Sequence, residues 1–477
     1  MFEMKMVYQV EDRPGISKTV VFAIQQLLAI MAATLVVPII IGNGMSPAAA
    51  LFGAGVGTLV YLLFTKFKSP VFLGSSFAFL PSMGAAFAGG VSMGLGYVGL
   101  ILGAILAGLV YVIIAIIVKY AGTEWINKLM PPVVIGPTVA IIGLSLAGNA
   151  IGDFQKGDVG EFVLEEIFRN GTLVSSSDVF VSYANPLIAI LCGLVTLFTV
   201  ILCSTFGKKM AKLIPFIIGI LAGYAVAAVF TVIGIATGND ALQLIDFGYF
   251  TALWADGVSP STFVSLPKFT FLTAFGAFGE ITPAYIGSIA VAYVPVAFVV
   301  FAEHIADHKN ISSIIERDLL TEPGLSRTLL GDGVGSMAGA FFGGCPNTTY
   351  GESVACVAIT RNASVITILF ASIGAILISF LSPFVAFVDS IPSCVMGGVC
   401  VALYGFIAVS GLKMIRTVDL GANKNLFVVS TILICGIGGL AINIGPVTIT
   451  AIAVALILGI LVNLLLKDAK DEESVDE

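Results

Sequence analysis

The chain has 477 residues, of which 58% are hydrophobic and only 11% are charged, and its formal net charge is −7. Soluble domains carry about 25% charged residues, so this composition excludes an ordinary soluble protein. The acidic balance also excludes the basic surface that nucleic-acid binding requires, and we expect no nucleic-acid partner.

Apolar runs long enough to span a bilayer recur along the whole chain, which predicts an all-α polytopic membrane protein surrounded by lipid. We expect about fourteen segments. They lie near 20–41, 47–65, 69–90, 97–118, 133–149, 187–206, 214–236, 289–311, 331–343, 347–365, 366–383, 392–410, 426–442 and 446–466. The segments between 331 and 365 are too short or too polar to be plain helices.

The distribution of Lys and Arg predicts the orientation of these segments. If the N-terminus is cytoplasmic, all but three of the 22 basic residues fall on the cytoplasmic side, the exceptions being Lys156, Arg169 and Lys268. A missed segment would assign every later loop to the opposite side of the membrane. This pattern therefore favours an even number of segments and two cytoplasmic termini in the plasma membrane. Polar stretches near 150–186 and 237–283 then lie outside, as connectors, lids or short surface helices.

Two polar breaks interrupt the third and the tenth segment. They read LGSSFAFLPS (73–82) and CPNTTYGES (345–353). The two positions correspond if the chain consists of two seven-segment halves, and an odd number of crossings gives the halves opposite orientations. Backbone that leaves a helix in lipid costs several kcal/mol per unsatisfied group unless it lines a cavity. The breaks therefore predict a midplane binding site whose backbone N–H and C=O groups suit a flat ligand with amide-like groups.

Three carboxylates occur at membrane depth. Glu303 and Asp307 are four residues apart and share a helix face, and Glu352 belongs to the second break. Ionisable residues in such places are costly and usually functional, so we predict that these three couple transport to protons. His304 and His308 are expected to have structural or interfacial roles.

Other polar or small residues in the apolar segments favour packing over chemistry. At least one of Gln25 and Gln26 is expected to hydrogen-bond within the helix bundle. The run GVGSMAGAFFGG (333–344) is predicted to let helices approach closely rather than to bind phosphate. The sequence contains no Walker motif and no Ser/His/Asp constellation, so no enzyme, cofactor or metal site is predicted.

Five stretches together resemble the nucleobase–ascorbate transporter family, also called nucleobase:cation symporter-2. They are QQLLAIMAATLVVP, YLLFTKFKSPVFLGSSFAF, FAEHIADH, PNTTYGESVACVAITR and GGVCVALYGFIAVSG. The resemblance runs from about Gln25 to the last segment, and the bacterial uracil permeases are the most similar type.

This resemblance implies fourteen segments in two inverted seven-segment halves, with short strands in segments 3 and 10. It also implies a core domain, a gate domain and, as is common in the family, a homodimer. The predicted boundaries are 1–19 for a cytoplasmic N-terminus, 20–132 and 284–391 for the core domain (segments 1–4 and 8–11), 133–283 and 392–466 for the gate domain (segments 5–7 and 12–14), and 467–477 for a cytoplasmic tail.

The resemblance also implies substrate-binding residues. Glu303 and Glu352 match the two acids that bind the substrate, while Phe77 and Gly351 match positions whose backbone contacts the base. The remaining implied site residues are Ala33, Tyr350 and Tyr404, which match apolar walls of the pocket, and Ser353, which follows the second acid.

Several residues depart from the family pattern. Ser353 stands where the family motif has Asn, and Ala355 stands where it has Gly. Gln26 occupies the place of a His in the first segment. Asp307 replaces the His of uracil permeases, as in many purine-transporting members, whereas Glu352 favours the uracil branch.

The function implied by the resemblance is a proton-coupled symporter that imports a nucleobase, preferably uracil, by alternating access. Na+ stays open as the coupling ion, and no other cofactor is implied. The alternative is a xanthine- or urate-type purine permease. A more distant alternative is an anion channel or exchanger on the related inverted-repeat fold.

Overall fold

The computed structural model describes residues 6–122, 124–169, 172–208, 210–255, 257–444 and 447–467, so most of the predicted tail at 467–477 lies outside the described residues. The first helices of the chain are α1 (Ile16–Ile41), α2 (Pro47–Phe64), α3 (Leu80–Ala86), α4 (Met93–Ala121), α5 (Glu124–Leu129), α6 (Pro132–Ser145), α7 (Ala147–Asp153), α8 (Pro186–Phe206), α9 (Met210–Leu213), α10 (Pro215–Thr237), α11 (Gly248–Trp254), α12 (Pro260–Phe263) and α13 (Thr270–Ala274).

The remaining helices are α14 (Pro283–Ile315), α15 (Leu325–Gly343), α16 (Gly351–Thr360), α17 (Val365–Ile378), α18 (Ser382–Asp389), α19 (Ser393–Ile415), α20 (Asn423–Ile437) and α21 (Ala451–Leu465). The strands are β1 (Leu73–Ser75), β2 (Gly160–Arg169), β3 (Thr172–Ser182), β4 (Asn347–Thr349), β5 (Ile442–Ile444) and β6 (Val447–Ile449).

Local sequence signals start several of the long helices. Ser46, Asn185 and Thr282 each accept a hydrogen bond from a backbone N–H of the following first turn, and each is followed directly by Pro. A polar cap satisfies an N–H that has no partner within the helix, and Pro fits the first helical position because it lacks that N–H.

Among the residues that the structure describes, eight helical stretches are long and apolar enough to cross a membrane by length and composition. They are α1, α2, α4, α8, α10, α14, α19 and the stretch Pro132–Asp153 that holds α6 and α7. The predicted class of polytopic helical protein is therefore confirmed, whereas the number fourteen stays a prediction. One expectation was wrong in part, because α15 is an uninterrupted helix of 19 residues that begins six positions before the predicted segment.

The two polar stretches differ in structure. The stretch near 150–186 holds the antiparallel hairpin of β2 and β3 rather than short helices. The stretch near 237–283 contains α11, α12, α13 and two short 3-10 helices, as expected of surface helices.

Within the broken segments, β1 pairs with β4 in antiparallel register, Leu73 opposite Thr349 and Ser75 opposite Asn347. Each strand leads into a helix, through the 3-10 turn Phe77–Phe79 into α3 in one case and directly into α16 in the other. Antiparallel pairing of matched breaks is what two halves of opposite orientation produce. The predicted short strands in segments 3 and 10 are thus present.

The chain forms two compact units. The first comprises residues 1–145, 265–381 and 404–477, and the second comprises 146–264 and 382–403. All of the candidate site residues belong to the first unit. The predicted core and gate domains have other boundaries, and that division stays a prediction.

In the first unit, α2 and α15 approach each other through glycines. A Cβ atom on Gly53 would lie 2.3 Å from the Gly339 carbonyl oxygen, and one on Gly57 would lie 2.7 Å from the Gly335 carbonyl oxygen. The Gly-rich run therefore packs helices backbone to backbone, as predicted.

Candidate functional site

The backbone of the two breaks forms a short ladder that extends past the paired strands. The Ser76 N–H donates to the Pro346 carbonyl (2.9 Å), and the Tyr350 N–H donates to the Phe72 carbonyl (3.2 Å). Backbone groups that the interrupted helices leave unpaired thus find partners in each other, which makes non-helical backbone tolerable at this depth.

Side chains of α2 and α15 anchor this ladder. The Leu73 N–H donates to the Thr58 hydroxyl (3.0 Å), and the Asn347 N–H donates to the Ser336 hydroxyl (3.0 Å). The Asn347 side-chain amide donates to the Gly53 carbonyl (3.2 Å). The polar residues of the breaks are therefore partly structural.

Tyr350 covers the first break. Its hydroxyl donates to the Ser75 carbonyl (2.8 Å), and its ring lies against Gly74, where a Cβ atom would come within 2.3 Å of the ring. Gly is required at position 74 because any side chain would displace the tyrosine.

Ser353 ties three elements together. Its hydroxyl accepts a hydrogen bond from the Phe72 N–H (3.0 Å), at the start of the first break, and another from the side-chain amide of Gln26 on α1. The side chain is fully buried. The expectation that Gln25 or Gln26 bonds within the bundle is confirmed, and Ser353 holds the site's framework from the first turn of α16.

The three predicted carboxylates converge from two elements. Glu303 and Asp307 lie on α14, and Glu352 lies in the first turn of α16. Glu303 is within electrostatic range of both of the others. All three are half-buried, and Asp307 Oδ2 accepts a hydrogen bond from the Thr349 hydroxyl (2.7 Å).

The other predicted site residues are buried, except Gly351. Phe77 and Tyr404 pack edge to face, with ring centroids 5.6 Å apart. Ala33 is buried on α1, and the next residue, Thr34, interacts with the Tyr350 side chain. Gly351 is exposed, and the space where its Cβ would point is open. The structure therefore places an accessible piece of backbone directly beside Glu352.

A fourth membrane carboxylate, Asp332 on α15, was missed by the sequence analysis. Its Oδ2 lies 2.6 Å from Nδ1 of His304, whose Nε2 lies 3.0 Å from the Thr328 hydroxyl. Asp332 and His304 are both buried. The signal was present in the sequence, since Asp332 interrupts an apolar Gly-rich run as Glu303 interrupts its own.

His308 belongs to a neighbouring hydrogen-bond chain. Its Nδ1 lies 2.8 Å from the His304 carbonyl, and its Nε2 lies 2.8 Å from the Tyr61 hydroxyl, which in turn lies 2.7 Å from the Ser69 hydroxyl. The two imidazole rings stack with centroids 4.0 Å apart. Both histidines thus hold α14 against its neighbours, which agrees with the structural role expected for them.

Comparison with known proteins places this geometry in a family. The family model Xan_ur_permease, described as a permease family, matches residues 17–445. The uracil permease of Bacillus caldolyticus is 37% identical over 470 residues, covering 97% of this chain and 95% of the relative. That of Bacillus subtilis (strain 168) is 35% identical over 479 residues, covering 99% and 98%, and that of Escherichia coli (strain K12) is 33% identical over 460 residues, covering 96% and 93%.

The chain belongs to the nucleobase–ascorbate transporter family. This confirms the resemblance, which rested on five short stretches. As a permease, the protein is a multi-pass membrane transporter and not an enzyme.

Solved structures share the fold of this permease at low sequence identity. The transmembrane domain of a cyanobacterium bicarbonate transporter, BicA, matches with a TM-score of 0.60 and 15% identity, covering 96% of this chain and 99% of that chain. The murine Slc26a9 anion transporter matches with a TM-score of 0.60 and 10% identity, covering 96% and 69%. At such identities the likeness concerns the fold alone, and it confirms the predicted fold class.

Proposed function

We propose that this permease imports uracil together with a proton across the plasma membrane, by alternating access and with both termini in the cytoplasm. The observation that carries the proposal is the exposed backbone at Gly351, which lies beside Glu352 and within the same unit as Glu303. Uracil permeases of three bacteria at 33–37% identity over nearly the whole chain support the choice of substrate.

The chemistry of uracil suits this arrangement. The ring is flat and carries two N–H donors and two carbonyl acceptors. The carboxyl groups of Glu303 and Glu352 would accept from the ring N–H groups, and backbone groups at Phe77 and Gly351 would bond the remaining edge. Phe77, Tyr350, Tyr404 and Ala33 would provide the apolar walls, with Ser353 holding the framework.

The grouping of carboxylates supports proton coupling. Glu303, Asp307 and Glu352 repel one another when all three are ionised, so a proton that binds with the substrate relieves the repulsion. We propose H+ as the coupling ion, with Na+ as the alternative, and a homodimer as the assembly. A purine permease is the second candidate, because Asp307 occupies the position of the uracil-permease His.

The test is uptake of radiolabelled uracil into proteoliposomes under an imposed inward proton gradient. We expect uptake that a protonophore abolishes and that unlabelled uracil blocks, while xanthine, hypoxanthine and urate do not. Replacing the proton gradient by a Na+ gradient distinguishes the two ions. Competition by purines alone would establish the purine permease, and no binding of either class would refute the proposed substrate.

A further inference from the structure

The hydrogen bond between Thr349 and Asp307 joins the carboxylate helix α14 to the strand β4. Thr349 is 1% exposed, and its hydroxyl donates to Asp307 Oδ2 over 2.7 Å. A hydroxyl that donates to an ionised carboxylate makes a markedly stronger bond than one that donates to a neutral group. The strength of this contact therefore depends on whether Asp307 carries a proton.

The backbone of Thr349 is part of the ladder that shapes the site. It stands opposite Leu73 in the strand pair. The next residue, Tyr350, bonds the other break twice, through its N–H to Phe72 and through its hydroxyl to Ser75. Gly351, with its open and exposed backbone, follows immediately, so a displacement of Thr349 moves both breaks.

We propose that Thr349 is a positioning residue that transmits the protonation state of Asp307 to the backbone edge at Gly351. This inference rests on the proposed function and deepens it, because it names the contact that links the coupled proton to substrate binding. When a proton from water adds to the Asp307 carboxylate, an O–H bond forms there and the Thr349 contact weakens. When the proton returns to water, the contact is restored.

The charged surroundings of Asp307 make this contact consequential. Glu303 on its own helix, Glu352 on α16 and Asp332 on α15 all lie within electrostatic range of Asp307. Each disfavours negative charge on Asp307 when ionised, and the Thr349 hydroxyl favours it. His304 and His308 face Asp332 and Tyr61 instead.

The decisive variant is Thr349→Val, which keeps the shape of the side chain and removes the donor. Without the donor, the ionised Asp307 carboxylate loses a hydrogen bond, so we expect the pH midpoint of gradient-driven uracil uptake to rise by about one unit. The pH at which the apparent KM for uracil changes should rise by the same amount. Uptake into proteoliposomes from pH 5 to pH 9 measures both quantities.

Three further variants separate this role from a structural one. Thr349→Ser retains the donor and should restore the parent profile. Thr348→Val removes a buried hydroxyl from the adjacent residue, whose contact is the Thr349 carbonyl at 3.4 Å, and should leave the midpoint in place. In an Asp307→Asn background, Thr349→Val should add no further shift.

An unshifted midpoint in Thr349→Val, or an equal shift in Thr348→Val, would overturn the inference. If Thr349→Val does not transport, binding of labelled uracil to the purified protein at each pH gives the same comparison. If the parent transports xanthine and not uracil, the proposed substrate is wrong, and the same profiles measured with xanthine decide the role of Thr349.

Discussion

Glu352 and Asp307 lie in different settings. Glu352 stands in the first turn of α16, where backbone N–H groups and the helix dipole favour an anion, and Tyr350 provides no side-chain cap there. Asp307 lies within α14 and has the Thr349 hydroxyl as a partner. Under the proposed function, Glu352 would bind a ligand's N–H group, whereas Asp307 would respond to protons.

Glu352→Gln should reduce uracil uptake at least tenfold or shift preference toward purines. The amide keeps the size of the carboxylate but removes its charge and adds N–H donors where the ligand's donors bind. Uptake kinetics with uracil and xanthine measure the effect. Glu280→Gln is the matched control, because Glu280 is exposed and bonds Ser92. Unchanged uracil kinetics in Glu352→Gln would remove this residue from the site.

At the scale of elements, the α19 helix is capped from a distant segment. Asp158, from the stretch that precedes β2, accepts hydrogen bonds from the N–H and the hydroxyl of Ser393, the first residue of α19 (3.1 and 2.6 Å). Burial raises the pKa of Asp158 to about 6, although both bonds from Ser393 oppose the rise and Asp246 adds to it.

This cap predicts a pH-dependent stability. Because the folded-state pKa is above the ordinary value of 3.8, the stabilisation is complete below about pH 4 and is lost as pH rises through 6. The side chain in Asp158→Asn does not titrate. Between pH 4 and pH 7 this variant should therefore lose about 1–2 kcal/mol less of its free energy of unfolding than the parent loses. Thermal unfolding in detergent at each pH measures this difference, and Asp240→Asn, at an exposed residue, is the control. If the free energy of unfolding depends on pH equally in the parent and in Asp158→Asn, the raised pKa of Asp158 is contradicted.

The hairpin of β2 and β3 has a signal in the sequence that was not part of the prediction. Asn170-Gly171 separates two runs rich in β-branched and aromatic residues, which is a strong hairpin signal. The polar stretch was instead expected to form a connector, a lid or short surface helices. Local turn chemistry was the better guide there.

In the first unit, the N-terminal stretch before α1 contacts the segments that follow α14 and α16, the two helices that carry the candidate site's carboxylates. The Ala363 N–H, in the link after α16, donates to the Tyr8 carbonyl (2.9 Å), and the N–H of Val365, the first residue of α17, donates to the Val10 carbonyl (3.1 Å). Glu11 pairs with Arg317 in the link after α14. The backbone bonds of this stretch thus brace the end of α16, and the surface pair with Arg317 adds a weaker contact near α14.

Val10→Asp should lower the thermal midpoint strongly and reduce uptake. Val10 is 2% exposed, and a buried unpaired charge costs several kcal/mol. Glu11→Gln, one residue away and exposed, should stay close to the parent because surface ion pairs contribute little. Detergent melting curves and uptake assays compare the two. Similar behaviour of both variants would show that this stretch does not brace the unit.

The sequence by itself determined the membrane class, the two breaks and three of the candidate site's acids, because hydrophobicity, helix breaks and charge within apolar runs are local properties. Only the tertiary structure decided that Ser353 bonds Phe72, 281 residues away, and that His304 bonds Asp332 and Asp307 bonds Thr349. These contacts depend on which helices pack together. The Gly-rich run predicted close helix approach, but which helix it meets and which buried polar groups pair are decided by the tertiary packing and not by a local pattern.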